Sequence, residues 1–185
     1  MVNDLFQMRD QTYTQGLVDL INYIRQHRKP EEMSMIEIGS YAGESTKIFS
    51  ENFKQVISID PFTNDYDPND ITCQFMPLDK VYDIFKEVIK KHSNIKHIRM
   101  TSDDAVSELK DEKFDFVYID GLHTYEQIKK DIANYLPLLK KDGLIGGHDY
   151  HLNWYGVVKG VNEILGEPDT TFMDTSWIKK IDLTV

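Results

Sequence analysis

The sequence predicts an α/β domain built on a doubly wound, mostly parallel sheet, and three observations carry that prediction. Apolar strand-like runs alternate with segments of helical periodicity along the chain, which implies parallel strands joined by crossover helices. The runs are apolar at consecutive positions, as in "FVYI" at 116–119, the pattern of a strand buried on both faces. Each run then stops at acidic, polar or glycine residues, and ligands of such sheets bind beyond the carboxyl ends of the strands.

The elements follow in order. Tyr13, Leu17, Leu20, Ile21 and Ile24 recur at helical spacing and predict an amphipathic helix over 10–28, within an N-terminal helical segment 1–30. "MSMIEI" (33–38) is the first strand, "GESTKIFSENF" (43–53) a helix and "QVISID" (55–60) the second strand. "DKVYDIFKEVIKKH" (79–92) reads as a helix with Asp79 as N-cap and Val81, Ile84, Phe85, Val88 and Ile89 on one face. Strand "IKHIRM" (95–100), helix "DDAVSELK" (103–110) and strand "FDFVYID" (114–120) come next. Thr124 and Gln127 stand at capping-box spacing and open a helix that turns Tyr125, Ile128, Ile132, Tyr135 and Leu139 inward. "GLIGGHD" (143–149) is the fifth strand, "VVKGVNEIL" (157–165) a helix, and "TTFM" and "WIKKIDL" are short strands close enough to pair as an antiparallel hairpin. No repeat or linker divides the 185 residues, so a single domain is expected.

Composition excludes several classes of partner. The formal net charge is −10 with no Lys/Arg cluster, which argues against a surface that tracks nucleic-acid phosphates. No apolar run reaches the roughly 18 residues of a spanning helix, and "MVNDLFQMRD" lacks the pattern of a signal peptide. The single cysteine, Cys73, forms no internal disulfide, and a cytoplasmic protein is expected.

The strand ends define an acidic rim. They are Glu37-Ile38-Gly39, Asp60-Pro61, Thr101-Ser102-Asp103-Asp104, Asp120-Gly121 and His148-Asp149. The first loop, with Gly39, Ser40, Tyr41 and Gly43 and with Asp60 some 20 residues on, partly matches the dinucleotide fingerprint. Tyr41 and Glu44 stand where a pyrophosphate needs glycine. A nucleoside with positive charge and no phosphate suits this rim, and S-adenosylmethionine is such a ligand. Asp60 would then accept hydrogen bonds from both ribose hydroxyls, Gly39 would let the amino-acid portion approach the backbone, and Ser102 and Asp103 would lie beside the adenine. The free N–H groups after Gly43 and Ser45 suit a carboxylate. Glu37 and Asp60 flank the glycine loop as the principal cofactor acids.

"IEIGSYAGEST", "SIDPF", "DFVYIDGLHTYEQIKKDI" and "LLKKDGLIGGHDY" together resemble the class I S-adenosylmethionine-dependent methyltransferases over about residues 33–166. Within them, the "DG.H.Y" and "HDY" pair is similar to bacterial small-molecule and sugar O-methyltransferases related to the metal-dependent catechol-type enzymes. The resemblance implies a Rossmann-like sheet of seven strands in the order 3-2-1-4-5-7-6 with strand 7 antiparallel. It implies a small-molecule acceptor and transfer to a hydroxyl, on a sugar or natural product. His123 falls where the resembled catechol-type enzymes carry a catalytic lysine. With a reference pKa near 6.5 it is a candidate base; the competing reading has it cap the next helix or orient Asp120.

The resemblance also implies a divalent-metal cluster of Asp120, His148 and Asp149. His148 departs from the oxygen-ligand pattern and suits manganese, iron or zinc better than magnesium. The competing reading is metal-free, with Asp120 on the methionine portion and His148 and Asp149 lining the acceptor pocket. The long connection 61–78 is a candidate lid, and Trp154 with Tyr155 either walls the acceptor pocket or packs against the N-terminal helix or a homodimer partner. Two rival functions remain: a non-catalytic cofactor-binding domain and a nicotinamide-dependent oxidoreductase.

Overall fold

The computed structural model describes residues 10–64 and 76–182. Seven strands form one sheet: β1 (Ser34–Ile38), β2 (Gln55–Ile59), β3 (Ile95–Ile98), β4 (Phe114–Ile119), β5 (Leu139–Gly147), β6 (Thr170–Thr171) and β7 (Trp177–Lys180), in the order β3-β2-β1-β4-β5-β7-β6. The pairings from β3 through β5 are parallel, and β7 runs antiparallel to both β5 and β6. The helices are α1 (Gln11–Arg25), α2 (Glu44–Ser50), α3 (Leu78–Ile89), α4 (Ser102–Leu109), α5 (Tyr125–Tyr135) and α6 (Tyr155–Leu165). The order and the antiparallel strand agree with what the resemblance implies.

Alternation along each strand feeds two cores. Met35, Val56, Phe116 and Tyr118 pack with Leu17, Leu20, Ile21 and Ile24 of α1 and Phe49 of α2. Ile36, Ile57, Val117 and Ile145 face the opposite way, towards Ala105 of α4, Ile132 of α5 and Val161 of α6. Phe114 and Phe116, two residues apart, still reach opposite cores, because the β4–β5 register shifts between them. Asp10 caps α1 by accepting the N–H groups of Thr12 and Tyr13, and Thr124 caps α5 by accepting that of Gln127, as its spacing predicts.

Three sequence expectations are corrected. The third helix begins at Leu78 behind Pro77, so Asp79 is a first-turn acid and not the cap. Leu139 belongs to β5 and pairs with Phe114: the helix stops at Tyr135, and Pro137 sits in a short 3-10 turn that separates the two elements. Tyr125 is only partly buried, and its hydroxyl reaches Glu163 of α6. Most of the candidate lid 61–78 and residues 1–9 of the N-terminal segment lie outside the described residues.

A buried polar knot joins α4 to α5. Ser102 Oγ donates to Asp131 Oδ1 at 2.6 Å, and Gln127 Nε2 donates to the same oxygen at 3.0 Å. Burial raises the Asp131 pKa to about 6, against the pull of those two donors. The folded state therefore holds this proton to higher pH than the unfolded chain. The contribution to stability is complete below about pH 4 and is lost as pH rises through about 6. Asp131→Asn keeps an acceptor and cannot ionise, so we expect equal stability near pH 4 and a gain of about 1–3 kcal/mol above pH 7, read from urea midpoints at both pH values.

Candidate functional site

The site is assembled where β1, β2, β4 and β5 end. Glu37, the last acid of β1, is fully buried, and Ser45 Oγ and Thr46 Oγ1 each donate to its carboxylate at 2.5 Å. The acid thus holds the first turn of α2 against the strand, and the Ser45 side chain is directed inward. Gly43 precedes that turn at φ +84°. Gly39, at φ +85°, donates its N–H to Ile59 O at 2.9 Å. A Cβ at Gly39 would fall 1.9 Å from the carbonyl oxygen of Asp120, so the first loop lies directly on the loop after β4.

Asp60 organises the neighbouring backbone. Oδ2 accepts the N–H groups of Ser40 and Tyr41 at 3.1 and 2.9 Å, and Oδ1 accepts that of Phe62 at 2.8 Å. Tyr41 and Phe62 both take positive φ, +43° and +49°, so the carboxylate holds two strained residues in place. Burial pushes the Asp60 carboxyl above its ordinary range, against those N–H bonds and the charge of Arg99. A carboxylate has about four acceptor positions, and three here are taken by backbone. The expected pair of ribose hydroxyls therefore meets an acid with room for about one. The Ser40 hydroxyl pairs with that of Ser58.

Ser102 and Asp103, expected beside the adenine, have other partners. Ser102 is buried in the knot with Asp131, and Asp103 contacts Asn134 at 3.3 Å and Lys130 at 3.5 Å. Asp131 escaped the sequence reading, although a carboxylate on the same helical face as Ile128, Ile132 and Tyr135 is a signal in itself; Gln127, expected as the capping-box partner of Thr124, turns its side chain to Asp131 and Ser102 instead.

Asp120, His123, His148 and Asp149 come together beyond β4 and β5. His123 Nε2 lies 2.8 Å from Asp149 Oδ2 and 3.8 Å from Asp120 Oδ1. His148 Nδ1 lies 3.2 Å from Asp149 Oδ1 and 3.7 Å from Asp120 Oδ1. His148 also donates its backbone N–H to Ile119 O, and Asp149 is held at φ +60°. Trp154 covers His123 with ring centroids 4.5 Å apart, whereas Tyr155 faces outward at 62% exposure. Tyr13, expected to face inward, is 44% exposed and its ring stands 6.1 Å from that of His148.

Electrostatics settle the resting state of this cluster. Burial alone would strip the proton from His123, but Asp120 and Asp149 overcome it and push the pKa up to about 10. Burial opposes ionisation of Asp149 too, yet His123 and His148 hold its carboxyl well below the usual range. His123 therefore rests as an imidazolium paired with Asp149 at neutral pH, far from the reference value used for the base expectation.

For a metal, the donors that converge are Asp120, His123 and Asp149, each offering an atom within 4.8 Å of the others. His123 thus enters the set where the sequence pattern pointed to His148. Two carboxylates and an imidazole suit manganese, iron or zinc. An ion there would displace the proton shared by His123 and Asp149.

Among the described residues no helix is long and apolar enough to cross a membrane. A family model described as a methyltransferase domain matches residues 36–150. The protein R132 of Acanthamoeba polyphaga mimivirus is 28% identical over 148 residues, covering 74% of this chain and 61% of that protein. The protein y4gI of Sinorhizobium fredii (strain NBRC 101917 / NGR234) is 29% identical over 59 residues, 32% of this chain and 6% of its own length. The chain thus spans less than two thirds of either relative. Among solved structures, the calicheamicin methyltransferase CalS11 matches with a TM-score of 0.68 at 16% identity, over 92% of this chain and 80% of its own. A Staphylococcus aureus protein assigned as a caffeoyl-CoA O-methyltransferase matches with a TM-score of 0.64 at 16% identity, over 95% and 85%. At such identities the likeness is one of fold. The family match spans most of the sheet and both acidic loops, and by it the chain belongs to the methyltransferase-domain family, in its class I S-adenosylmethionine-dependent form.

Proposed function

We propose that the chain transfers a methyl group from S-adenosylmethionine to a hydroxyl of a small molecule, with a sugar or natural product as acceptor. One observation carries this reading: the Gly39 loop, where the family implies the cofactor, rests on the backbone of Asp120, and Asp120 stands beside the His123–Asp149 pair. CalS11, described as a TDP-rhamnose 3'-O-methyltransferase, lends support for a sugar hydroxyl.

S-adenosylmethionine supplies an electrophilic methyl carbon on a sulfonium when bound, and the acceptor oxygen displaces the thioether in line. The protein must align that oxygen and take its proton. Asp120 and Asp149 orient the O–H, and Trp154 restricts water at His123. Positive charge in the loaded site offsets the field of the two carboxylates and lowers the imidazole pKa, so that His123 first releases its resting proton to solvent and then receives the proton of the acceptor hydroxyl. A divalent ion bound by Asp120, His123 and Asp149 would instead lower the pKa of the acceptor hydroxyl directly.

The test is calorimetric titration of S-adenosylhomocysteine, with NAD as control, after chelation and again with added magnesium or manganese. Binding of S-adenosylhomocysteine but not NAD is expected, and preference for NAD would overturn the reading. Methyl transfer to a panel of sugar and phenolic hydroxyls then separates a working enzyme from an inert binding domain. In the same titration Asp60→Ala should weaken binding by about 1–3 kcal/mol, since it removes an acceptor and frees the N–H groups of Ser40, Tyr41 and Phe62. Unchanged affinity would show that Asp60 shapes the loop without touching the ligand.

A further inference from the structure

Six large apolar side chains stand exposed among the described residues, and four of them, Tyr13, Leu152, Tyr155 and Met173, belong to three segments that meet beside the acid and histidine cluster. The segments are the start of α1, the stretch from His148 to the first residue of α6, and the turn between β6 and β7. Tyr13 brings its ring to 6.1 Å from that of His148. Tyr150 donates its N–H to Thr175 O at 3.0 Å, and a Cβ on Gly16 of α1 would lie 2.3 Å from Asp174 Cγ, so the turn touches both other segments. Leu152 is 77% and Met173 80% exposed. An apolar side chain exposed singly needs no explanation, but several gathered beside a candidate site are the mark of a surface that receives an apolar ligand.

The same surroundings lack fixed positive charge. Among the described residues, no Lys or Arg occurs in the loops after β1, β2, β4 and β5, in the first turns of α1 or in the turn between β6 and β7; Arg9 precedes the described residues. Arg99 follows β3, at the opposite edge of the sheet, with its guanidinium 4.2 Å from the centre of the Tyr82 ring. Lys129 of α5 and Lys159 of α6 are engaged by Glu163 and by the Tyr125 ring. Helix ends do not take the place of these cations. Asp10 caps α1 with a carboxylate, Thr124 caps α5, and the first turn of α6 packs on the start of α5, where a Cβ on Gly156 would lie 2.9 Å from Tyr125 N. A diphosphate is recognised by Arg, by Lys or by open N–H groups, and here it would face Asp120 and Asp149 instead.

We propose that the acceptor is an uncharged molecule whose reacting hydroxyl adjoins an apolar body, aryl or alkyl, and not a sugar still carried on a nucleoside diphosphate. This deepens the methyl-transfer reading and rests on it. The acids receive the hydroxyl, while Tyr13, Leu152, Tyr155 and Met173 cover the apolar body and leave water as they do so. CalS11 is described as a TDP-rhamnose 3'-O-methyltransferase; the proposed likeness extends to a hydroxyl acceptor and stops short of the nucleotide.

Calorimetry on the protein saturated with S-adenosylhomocysteine tests it, with 4-nitrophenyl rhamnoside and 4-nitrocatechol as apolar probes and methyl rhamnoside and TDP-rhamnose as their counterparts. At least one apolar probe is expected to bind about tenfold or more tighter than either counterpart. Tightest binding of TDP-rhamnose, or no binding of either apolar probe, would overturn the proposal and leave the methyl-transfer reading standing. The double variant Leu152→Lys, Met173→Lys changes two exposed side chains, so its urea midpoint should match the wild type and its S-adenosylhomocysteine affinity stay within about twofold. Its affinity for the apolar probe should fall about tenfold, and an unchanged value would overturn the proposal. Sedimentation of the wild type as a dimer and of the variant as a monomer would assign the patch to a second copy of the chain and overturn it too. Failure of the wild type to bind S-adenosylhomocysteine at all would overturn the methyl-transfer reading itself, and the acceptor class with it.

Discussion

Replacing Gly39 with alanine is expected to abolish measurable cofactor binding and to destabilise the fold by about 2–4 kcal/mol. Two independent penalties act. At φ +85° an L-residue with a Cβ is strained, and that Cβ would overlap the Asp120 carbonyl oxygen at 1.9 Å. Neither obstacle is the end of a flexible side chain, so relief requires the first loop and the loop after β4 to separate. Separation would pull Asp120 N–H from Ile38 O, a 2.8 Å bond that joins the two strand ends. The urea midpoint and an S-adenosylhomocysteine titration measure the two effects. Wild-type affinity in Gly39→Ala would mean that the cofactor does not use this loop.

His123→Ala should lower methyl transfer by about 10²–10⁴-fold while S-adenosylhomocysteine affinity stays within a few fold. The imidazolium of His123 balances Asp120 and Asp149 across 3.8 and 2.8 Å, and its removal leaves those half-buried acids with His148. A pH signature accompanies the loss. The raised pKa of His123, about 10, means that its ion pair stabilises the fold fully below the unfolded value near 6.5 and is lost as pH rises through about 10. Stability of the wild type should therefore fall between about pH 7 and 10 more steeply than that of His123→Ala. Equal slopes would show that His123 is not held as a cation. Turnover unchanged in the variant would remove it from the reaction.

Much of this fold is legible in single residues. The apolar run of β4 and the Thr124 cap of α5 state their structure locally, and the acids that end the strands mark the rim. Leu139 misleads because it stands four residues after Tyr135, a spacing that helix and buried strand can share, and only the backbone of Pro137 decides between them. Asp79 misleads because an acid near a helix start serves equally as cap or first-turn residue. The chemistry of the site is less legible, since it depends on partners distant in the chain. His123 meets Asp149, 26 positions away (149 − 123), and the meeting moves its pKa by enough to exchange a base for a cation at neutral pH.

The positive φ values of Tyr41, Phe62 and Asp149 bear on how this chain would respond to selection. Tyr41 and Asp149 hold side chains in backbone space that glycine occupies freely, so glycine at either relieves strain in the folded state while adding freedom to the unfolded one, whereas at Phe62, packed on Phe85 and Tyr82, glycine would lose more in packing than it relieves. A search rewarding heat resistance alone would therefore sample changes at the rim, among the residues that shape the first loop and the acid cluster. Robustness and the proposed chemistry meet at Tyr41 and Asp149, and a useful library would hold both fixed and seek its gains on the far side of the sheet.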